Sequence, residues 1–572
     1  MDNARIADTF DHIADLLEFT AANPFRVRAY RNGARTVRDL PEPAAAILTD
    51  ENRSLTDIDG IGKDLAEKIA ALVAGEKIPL LEELTAKVPE SVLALMRIPG
   101  VGPKKAAALF KELGVKTLDE LRAACEAGRV RGLKGFGEKT EQTILAGLSL
   151  AEQANVRMLW AEADVEAQRV LAHLRDCKGV RQLEMAGSYR RGRDTVGDLD
   201  VLAVADDVDA LMDCFGELDD IDTVIGRGDT KMSVRLASGV QIDLRVVPEE
   251  SFGAALLYFT GSKQHNIVLR SMAKDHGLKI NEYGVFRGEK SIAGRTEKEV
   301  YATLGLPVFP PEMREARREF DWAAAGELPQ LIELDDIAGD LHMHTHATDG
   351  RASLEEMAAA ARKRGLKYIA ITDHSKRVSM ANGLDAKRLR AQWKQIDKLN
   401  EHFDDGFVML KGIECDILER GGMDLSDDVL AEADWVVASV HYGQNQPRQQ
   451  ITDRILGALE NPHVSAIAHP TGRLIQRRKP YEVDLEAVFA AAKKHHKFLE
   501  LNANPRRLDL DDVACAAAKD RGIPIVINTD AHSTEGLDVL RYGILQARRA
   551  GLTKHDVANT RSWAQVKKLL HR

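Results

Sequence analysis

Apolar residues recur at helical spacing from the first turn of the chain: Ile6, Phe10, Ile13, Leu16 and Leu17 share one face of a helix predicted over 4–19. Up to residue 155 the pattern stays helical, broken by short glycine turns. Three of these turns resemble one another: Asp59-Gly60-Ile61-Gly62-Lys63, Pro99-Gly100-Val101-Gly102-Pro103-Lys104-Lys105 and Lys134-Gly135-Phe136-Gly137-Glu138-Lys139. They lie 40 and 35 residues apart, each ahead of a helical pattern, which predicts a repeated helix–turn–helix unit. From about 156 the texture becomes mixed, with strands predicted over 182–186, 200–204, 233–236 and 240–247. Residues 311–338 are charged, contain proline and show little periodicity, which reads as a linker. Beyond 338, short apolar runs at 368–371, 408–413, 435–440, 464–468, 498–501 and 523–527 alternate with amphipathic helices. That alternation predicts parallel strands with helical crossovers, in a barrel or an open sheet.

Composition narrows the picture. A length of 572 residues suggests about four domains of ~150 residues. The chain is 44% hydrophobic and 29% charged, which excludes wholesale disorder. No apolar run approaches the ~18 residues of a membrane span, so no membrane partner is expected. The opening Met1-Asp2-Asn3-Ala4-Arg5-Ile6-Ala7-Asp8 lacks the basic patch and apolar core of a signal peptide. Cys125, Cys177, Cys214, Cys415 and Cys515 are odd in number, far apart and in no Cys-x-x-Cys pair. Neither a disulfide framework nor a cysteine zinc site is expected, and a reducing cytoplasm is the expected compartment. The net charge of −10 counts against a bulk nucleic-acid binder, and residues 1–150 hold 21 Lys+Arg against 23 Asp+Glu. Any grip on nucleic acid must therefore come from placed amides and a few cations. Thirteen of the 17 histidines lie after residue 336, a skew that points to a metal centre there.

A Gly-hydrophobic-Gly turn before a helix leaves N–H donors at the positive end of the helix dipole, able to hold a phosphate without side-chain charge. A single copy is as readily an ordinary connection. Three copies, with Lys63, with Lys104 and Lys105, and with Lys134 and Lys139, resemble helix-hairpin-helix motifs, which grip a DNA backbone regardless of sequence. The resemblance implies DNA contacts at Gly60, Gly62, Gly100, Gly102, Lys104, Gly135 and Gly137.

The stretch Gly187-Ser188-Tyr189-Arg190-Arg191-Gly192-Arg193-Asp194-Thr195-Val196-Gly197-Asp198-Leu199-Asp200-Val201-Leu202 carries a second chemistry. On a strand, Asp198 and Asp200 share a face, and adjacent carboxylates repel unless a divalent cation joins them. Asp243, in the predicted strand 240–247, is the candidate third acid. Three carboxylates on adjacent strands can hold two Mg²⁺ or Mn²⁺ ions, which activate a 3′ hydroxyl and stabilise in-line attack on a nucleotide's α-phosphate. A solvent-facing strand with paired acids is the bland alternative, and the whole string argues against it.

That string resembles the nucleotidyltransferase signature of the family X DNA polymerases, the group that includes polymerase beta. The resemblance continues through Tyr258-Phe259-Thr260-Gly261-Ser262, Asn266, Arg270 and Asn281-Glu282-Tyr283, covering about 5–318. It implies Asp198, Asp200 and Asp243 as catalytic metal ligands and Gly187, Ser188, Arg191 and Gly197 as nucleotide contacts. Tyr258, Phe259 and Gly261 would pack under the incoming sugar, and Asn266 and Arg270 would face the minor groove. Gln241 departs from a basic residue of the vertebrate repair enzyme, and Lys263 from an acidic one. The first 80 residues resemble the small domain that binds gapped DNA. There Lys68 matches a Schiff-base lysine that removes 5′-deoxyribose phosphate, with Arg26 and Tyr30 matching its neighbours. A solvated lysine on a DNA-binding helix is the competing reading.

The run Asp340-Leu341-His342-Met343-His344-Thr345-His346-Ala347-Thr348-Asp349-Gly350 opens the histidine-rich region. His342 and His344, two apart on a strand, form a chelating pair. His374, Glu414, His441, His469, Asp530 and His532 follow predicted strands one after another, and strand ends of an α/β barrel form one mouth. The pattern resembles the PHP (polymerase and histidinol phosphatase) domain over about 339–572. By that resemblance His342, His344, Glu414 and Asp530 hold one ion. Glu414 bridges to a second with His441 and His469, and Asp349, His374 and His532 hold a third. The ligands suit three Zn²⁺ or Mn²⁺ ions, which would generate a hydroxide nucleophile. Arg473 is the candidate phosphate contact, and His346 is left unassigned.

Together the modules resemble bacterial and archaeal family X polymerases fused to a PHP domain. The expected fold is multidomain: an α-helical helix-hairpin-helix region, an α+β nucleotidyltransferase palm and thumb, and a distorted α/β (TIM-like) PHP barrel. The expected boundaries are 1–80, 81–155, 156–248, 249–318, a linker at 319–338, and 339–572. The expected activity is gap filling in DNA repair, with 3′-5′ exonuclease or 3′-end processing and abasic-site cleavage as further outcomes of the PHP site. The substrates would be gapped or primer–template DNA and dNTPs, and the chain would act as a monomer, cytoplasmic and associated with the nucleoid. Two alternatives are a small-molecule phosphatase with a DNA-binding appendage and a scaffold with structural metals.

Overall fold

The apolar stripe at the start of the chain becomes the helix Asn3–Phe19, with Ile6, Phe10, Ile13, Leu16 and Leu17 all in the core. The computed structural model describes every residue except 1, 2, 21, 41–43, 51, 52, 59, 99, 100, 155, 156, 571 and 572. It divides into two units, Met1–Arg157 and Met158–Arg572.

The first unit is helical throughout its described residues, and one continuous hydrophobic cluster runs from Ile6 to Leu148. The expected modules 1–80 and 81–155 therefore share a core. The described residues of the three glycine turns share one hydrogen-bond pattern. Ile61, Val101 and Phe136 each donate an N–H to the carbonyl three residues back, at 3.0, 2.9 and 3.0 Å. All three side chains are buried and anchor their turns. Gly62 and Gly102 cap the helices Lys63–Val73 and Pro103–Leu113, and Gly137 precedes Glu138–Ala154. Gly135 sits at φ +87°, where a side chain would be strained. Gly100, expected as a DNA contact, lies outside the described residues.

In the second unit the palm is a five-stranded mixed sheet in the order Val180–Met185, Asp198–Ala205, Gln241–Val246, Lys231–Leu236, Ile221–Arg227. Leu199, Val201 and Ala203 point into the palm core, while Leu202 and Val204 pack on the helix Phe252–Thr260. The strand Asp198–Ala205 is thus buried on both faces at its far end and open at its start, where the acids stand. A Cβ at Gly253 would lie 2.1–2.5 Å from the backbone of Thr296, so glycine permits the close approach of thumb elements.

Seven parallel strands follow in sequence order: Gly339–Asp340, Tyr368–Ile371, Val408–Asp416, Trp435–Ser439, Ala466–Ile467, Phe498–Asn502 and Ile525–Asn528. Extended residues after the first strand pair with those after the last: Asp530 N–H donates to His342 O at 2.9 Å, and His344 N–H to Ala531 O at 2.8 Å. These bonds nearly close the sheet into a barrel and decide between the two topologies left open by the sequence.

Two expectations are corrected. The segment 311–338 is no free linker. It forms the helix Glu319–Ala325, Ile332 lies in the barrel's core cluster, and Arg318 pairs with Asp520. Its charges at 312–318, which read as linker composition, pair with the barrel: Glu312 with Arg548, Glu315 with Arg549 and Arg317 with Asp512. The cysteines also include a pair, a disulfide between Cys177 and Cys214. Cys177 ends the helix Trp160–Asp176, and Cys214 sits on the neighbouring helix Val208–Gly216, an adjacency that linear spacing cannot show. Among the described residues no helix is long and apolar enough to cross a membrane.

Candidate active sites

Asp200 and Asp243 are register partners on adjacent parallel strands, which sets their backbones about 4.8 Å apart. Asp198 stands two residues before Asp200 on the same face. The three acids meet as the sequence predicts. Burial, then the charges of Asp198 and Asp243, push Asp200 up to about 7. Burial works against ionised Asp243 too, but hydrogen bonds from Lys231, Gln241 and Ser233 hold it below the usual carboxylate range. Lys231 Nζ lies 2.6 Å from Asp243 Oδ2, and Gln241 Nε2 donates to Oδ1 at 3.0 Å. Lys231, which the sequence reading passed over, supplies a cation beside Asp243 where position 241 does not.

The remaining palm residues converge on the same loop. Gly187 is at φ +64°, and a Cβ there would fall 2.5 Å from Asp200 Oδ2. Arg191 donates to the carbonyl of Thr260 and, through Nε, to Glu315 Oε1 at 3.2 Å. Ser188 lies on the short helix Gly187–Arg190, and Gly197 directly precedes the catalytic strand. Tyr258 and Phe259 meet edge to face at 5.2 Å, and Arg245 lies 4.4 Å over the Phe259 ring. A Cβ at Gly261 would lie 3.2 Å from Arg191 Nη1. Asn266 Nδ2 donates to Tyr258 O at 2.7 Å, and Arg270 is exposed. In the first unit Lys68 is ion-paired with Asp64 and lies 5.9 Å from the centroid of the Tyr30 ring.

The nine expected PHP ligands also come together. His342, His344 and Asp530 form one group, His374, Glu414 and His441 a second, and His344, Asp349, His374 and His532 a third. His344 and His374 are each shared between groups, and Glu414, the expected bridge, also lies 3.6 Å from His342 Nε2. His469 joins through Nε2, 3.1 Å from Glu414 Oε1. Glu414 Oε2 and His374 Nδ1 come within 2.7 Å without making a hydrogen bond. His342 Nε2, His344 Nδ1 and His469 Nδ1 are also buried without partners. Such orphaned buried donors and acceptors, clustered with carboxylates at the strand ends, fit divalent cations. Burial, then His374 and His532, lower His344 to about 4, so its ring is neutral at neutral pH.

Several supporting groups escaped the sequence reading. Glu500 Oε1 lies 2.7 Å from His342 Nδ1, leaving Nε2 for the centre. Asp416 Oδ1 accepts from the His441 backbone N–H at 3.0 Å and lies 3.1 Å from its Nδ1. Carboxylates behind ligating histidines fix ring orientation and basicity. Glu500 is the lone acid of the apolar strand Phe498–Asn502, and Asp416 stands two residues after Glu414 on Val408–Asp416, signals that could have marked them. Arg473, expected at phosphate, donates to the carbonyls of Arg507 and Leu508 at 2.7 and 2.6 Å and lies 3.4 Å from Asp194 of the palm. It is a strut between palm and barrel. The arginine beside the cluster is Arg507, 3.7 Å from Asp530 Oδ2. His346 bonds the Ala352 carbonyl and stays outside the cluster.

A palm with a carboxylate triad, following glycine turns and leading into a histidine-lined barrel, defines a DNA-synthesising nucleotidyltransferase joined to a second, phosphoesterase-type site. Residues 1–78 match the Helix-hairpin-helix domain family, 92–149 the SAM-like Helix-hairpin-helix tandem, 255–315 the DNA polymerase beta thumb and 340–504 the PHP domain. The chain is 43% identical over 581 residues to the DNA polymerase/3′-5′ exonuclease PolX of Bacillus subtilis (strain 168), across all of this chain and 99% of that protein. DNA polymerase lambda of Rattus norvegicus is 27% identical over 53% of this chain and 56% of its own length. A probable phosphatase of Thermoanaerobacter sp. (strain X514) is 31% identical over 39% of this chain and 89% of its own. The chain belongs to the family X DNA polymerases that carry a C-terminal PHP domain. A small-molecule phosphatase with a DNA-binding appendage is not favoured, because the phosphatase match covers 39% of the chain and the polymerase match all of it.

Proposed function

We propose that this polymerase fills short gaps in DNA at the Asp198–Asp200–Asp243 site and trims or proofreads 3′ ends at the PHP site, with abasic-site cleavage as a further reaction of the latter. The observation that carries the reading is the direct pairing of Asp200 with Asp243 in the palm sheet. Mg²⁺ or Mn²⁺ at this triad would activate the primer 3′ hydroxyl and neutralise charge developing on the α-phosphate. The chain's residues do the rest. Gly187, Ser188, Arg191 and Gly197 hold the outgoing phosphates, the Tyr258–Gly261 turn supports the sugar, and Asn266 and Arg270 read the minor groove. The amides of Gly60, Gly62, Gly100, Gly102, Gly135 and Gly137, with Lys104, hold DNA phosphates. Lys68, paired with Asp64, is a DNA-binding cation rather than a lyase nucleophile; absence of a borohydride-trapped adduct with 5′-deoxyribose-phosphate DNA tests this.

In the PHP barrel, His342, His344, Asp349, His374, Glu414, His441, His469, Asp530 and His532 hold three Zn²⁺ or Mn²⁺ ions, whose chemistry is to supply hydroxide and polarise a phosphodiester. Glu500 and Asp416 orient His342 and His441, and Arg507 meets the scissile phosphate. The domain boundaries are those set out from the sequence, except that the helix Glu319–Ala325 belongs with the thumb core and 332–338 with the barrel. The chain works as a monomer in the cytoplasm at the nucleoid. A labelled one-nucleotide gap incubated with Mg²⁺ or Mn²⁺, with and without dNTP, tests both centres in one gel. Asp243→Asn should lose extension and keep excision. Retained extension would refute the palm assignment, and loss of both would refute two separate centres.

A further inference from the structure

The helix Leu540–Arg549 of the PHP domain turns one face to the palm. Arg541, Tyr542, Leu545, Arg548 and Arg549 fall at i, i+1, i+4, i+7 and i+8, a single helical stripe. Its contacts concentrate on the loop that follows Gly187. Arg541 lies 2.9 Å from Asp164, which accepts from Tyr189 Oη at 2.6 Å. The Trp160 ring stacks on Tyr189 and meets Tyr542 edge-on. Leu545 packs so closely on Gly192 that a Cβ there would fall 2.4 Å from it. Arg549, 2% exposed at its side chain, donates from Nη1 to the Arg191 carbonyl at 2.8 Å and to Glu315 Oε1 at 3.0 Å, and from Nη2 to Asp512 at 2.8 Å. Glu315 also accepts from Arg191 Nε. Burial opposes its ionisation, but Arg549, Arg191 and Arg193 hold it down at about 2, so the bridge stays charged.

We propose that the PHP domain completes the polymerase site, with Arg549 as a positioning residue that fixes Arg191, through its backbone and through Glu315, for the phosphates of the incoming nucleotide. This rests on the reading of Arg191 as a phosphate contact. An unrestrained arginine loses side-chain freedom when it meets a triphosphate; one already immobilised does not, so the restraint favours nucleotide binding. No other residue of the second unit needs to move for this effect, and the nuclease ligands take no part in it.

The test uses the full-length protein and one-nucleotide gap filling. Arg549→Lys keeps a cation between Glu315 and Asp512 but has one nitrogen in place of the planar fork whose Nη1 and Nη2 reach the three acceptors. It should raise KM for dNTP about tenfold, the scale of one lost hydrogen bond to a charged group, with a smaller change in kcat and unchanged excision of single-stranded DNA. Leu545→Ala, which breaks no ion pair, should move KM in the same direction by less. Arg191→Ala tests the underlying reading: if it leaves KM for dNTP unchanged, Arg191 holds no phosphate and both readings fall. If Arg191→Ala raises KM while Arg549→Lys and Leu545→Ala do not, the phosphate contact stands and the positioning role is overturned. Parallel loss of extension and excision with a lowered Tm would also overturn it, since that marks a merely structural contact.

Discussion

Asp200 and Asp243 stand directly opposite each other on neighbouring parallel strands, so two carboxylates from separate stretches leave the same face of one sheet. In the absence of cations that arrangement is electrostatically costly, and its cost is measurable as a dependence of stability on pH.

Burial and the neighbouring acids raise Asp200 to about 7, against ~3.9 in an unfolded chain. A carboxyl raised in the folded state stabilises the fold fully below the unfolded value, and that contribution disappears as pH rises through the folded value. In EDTA, Tm should therefore fall between about pH 5 and about pH 8. Asp200→Asn, which cannot ionise, should flatten this fall, and added Mg²⁺ should reverse it in the unaltered protein. A thermal-unfolding series across that range measures it; an identical pH slope in the variant would rule out the carboxylate origin.

His344 touches two of the three PHP ligand groups. His344→Ala should therefore remove more than one bound metal equivalent and abolish 3′ excision, while extension of a primer stays near the unaltered rate. Asp416→Asn, which acts through His441, should lose a factor of about 10–100 in metal affinity or excision. Metal content by elemental analysis, set beside excision rates, separates the two; full metal content in His344→Ala would remove it from the ligand set.

Arg507, and not Arg473, lies beside the cluster. Arg507→Ala should lower kcat/KM for excision by about tenfold or more, the scale of a lost charge-assisted contact. Arg473→Ala should instead affect stability, because its partners are two carbonyls and Asp194. Excision kinetics with equal Tm in both variants would contradict this division.

A side chain at Gly102 would meet nothing within 4 Å, and its φ is unremarkable. Gly102→Val should keep the fold yet weaken gapped-DNA binding, since the added bulk stands where a DNA backbone approaches. Lys104→Ala should weaken binding uniformly across sequences and reduce the salt slope by about one. Binding titrations at several salt concentrations distinguish steric from electrostatic loss; unchanged affinity in both variants would place the DNA elsewhere.

Much of the site was legible because its signals are local. Alternation marks Asp198 and Asp200 as facing one way, and the histidines follow strands in order. Other features had no local signal. The sharing of His344 and His374 between groups, the backing of His342 by Glu500, the commitment of Arg473 to carbonyls and the pairing of Cys177 with Cys214 all depend on residues brought together from distant stretches. The charged segment 311–338 misled for the same reason, because its partners, such as Asp520 for Arg318 and Asp512 for Arg317, lie far along the chain.

The sequence by itself determined which elements form and which side chains can bind metal or phosphate, because helical and strand periodicity and donor chemistry are properties of neighbouring residues. Only the tertiary structure decided the register that sets Asp200 against Asp243, the near-closure of the barrel by residues 341–344 against 528–531, and the docking of Arg549 behind Arg191. Those are relations across space, set by how buried surfaces fit, and chain order records none of them.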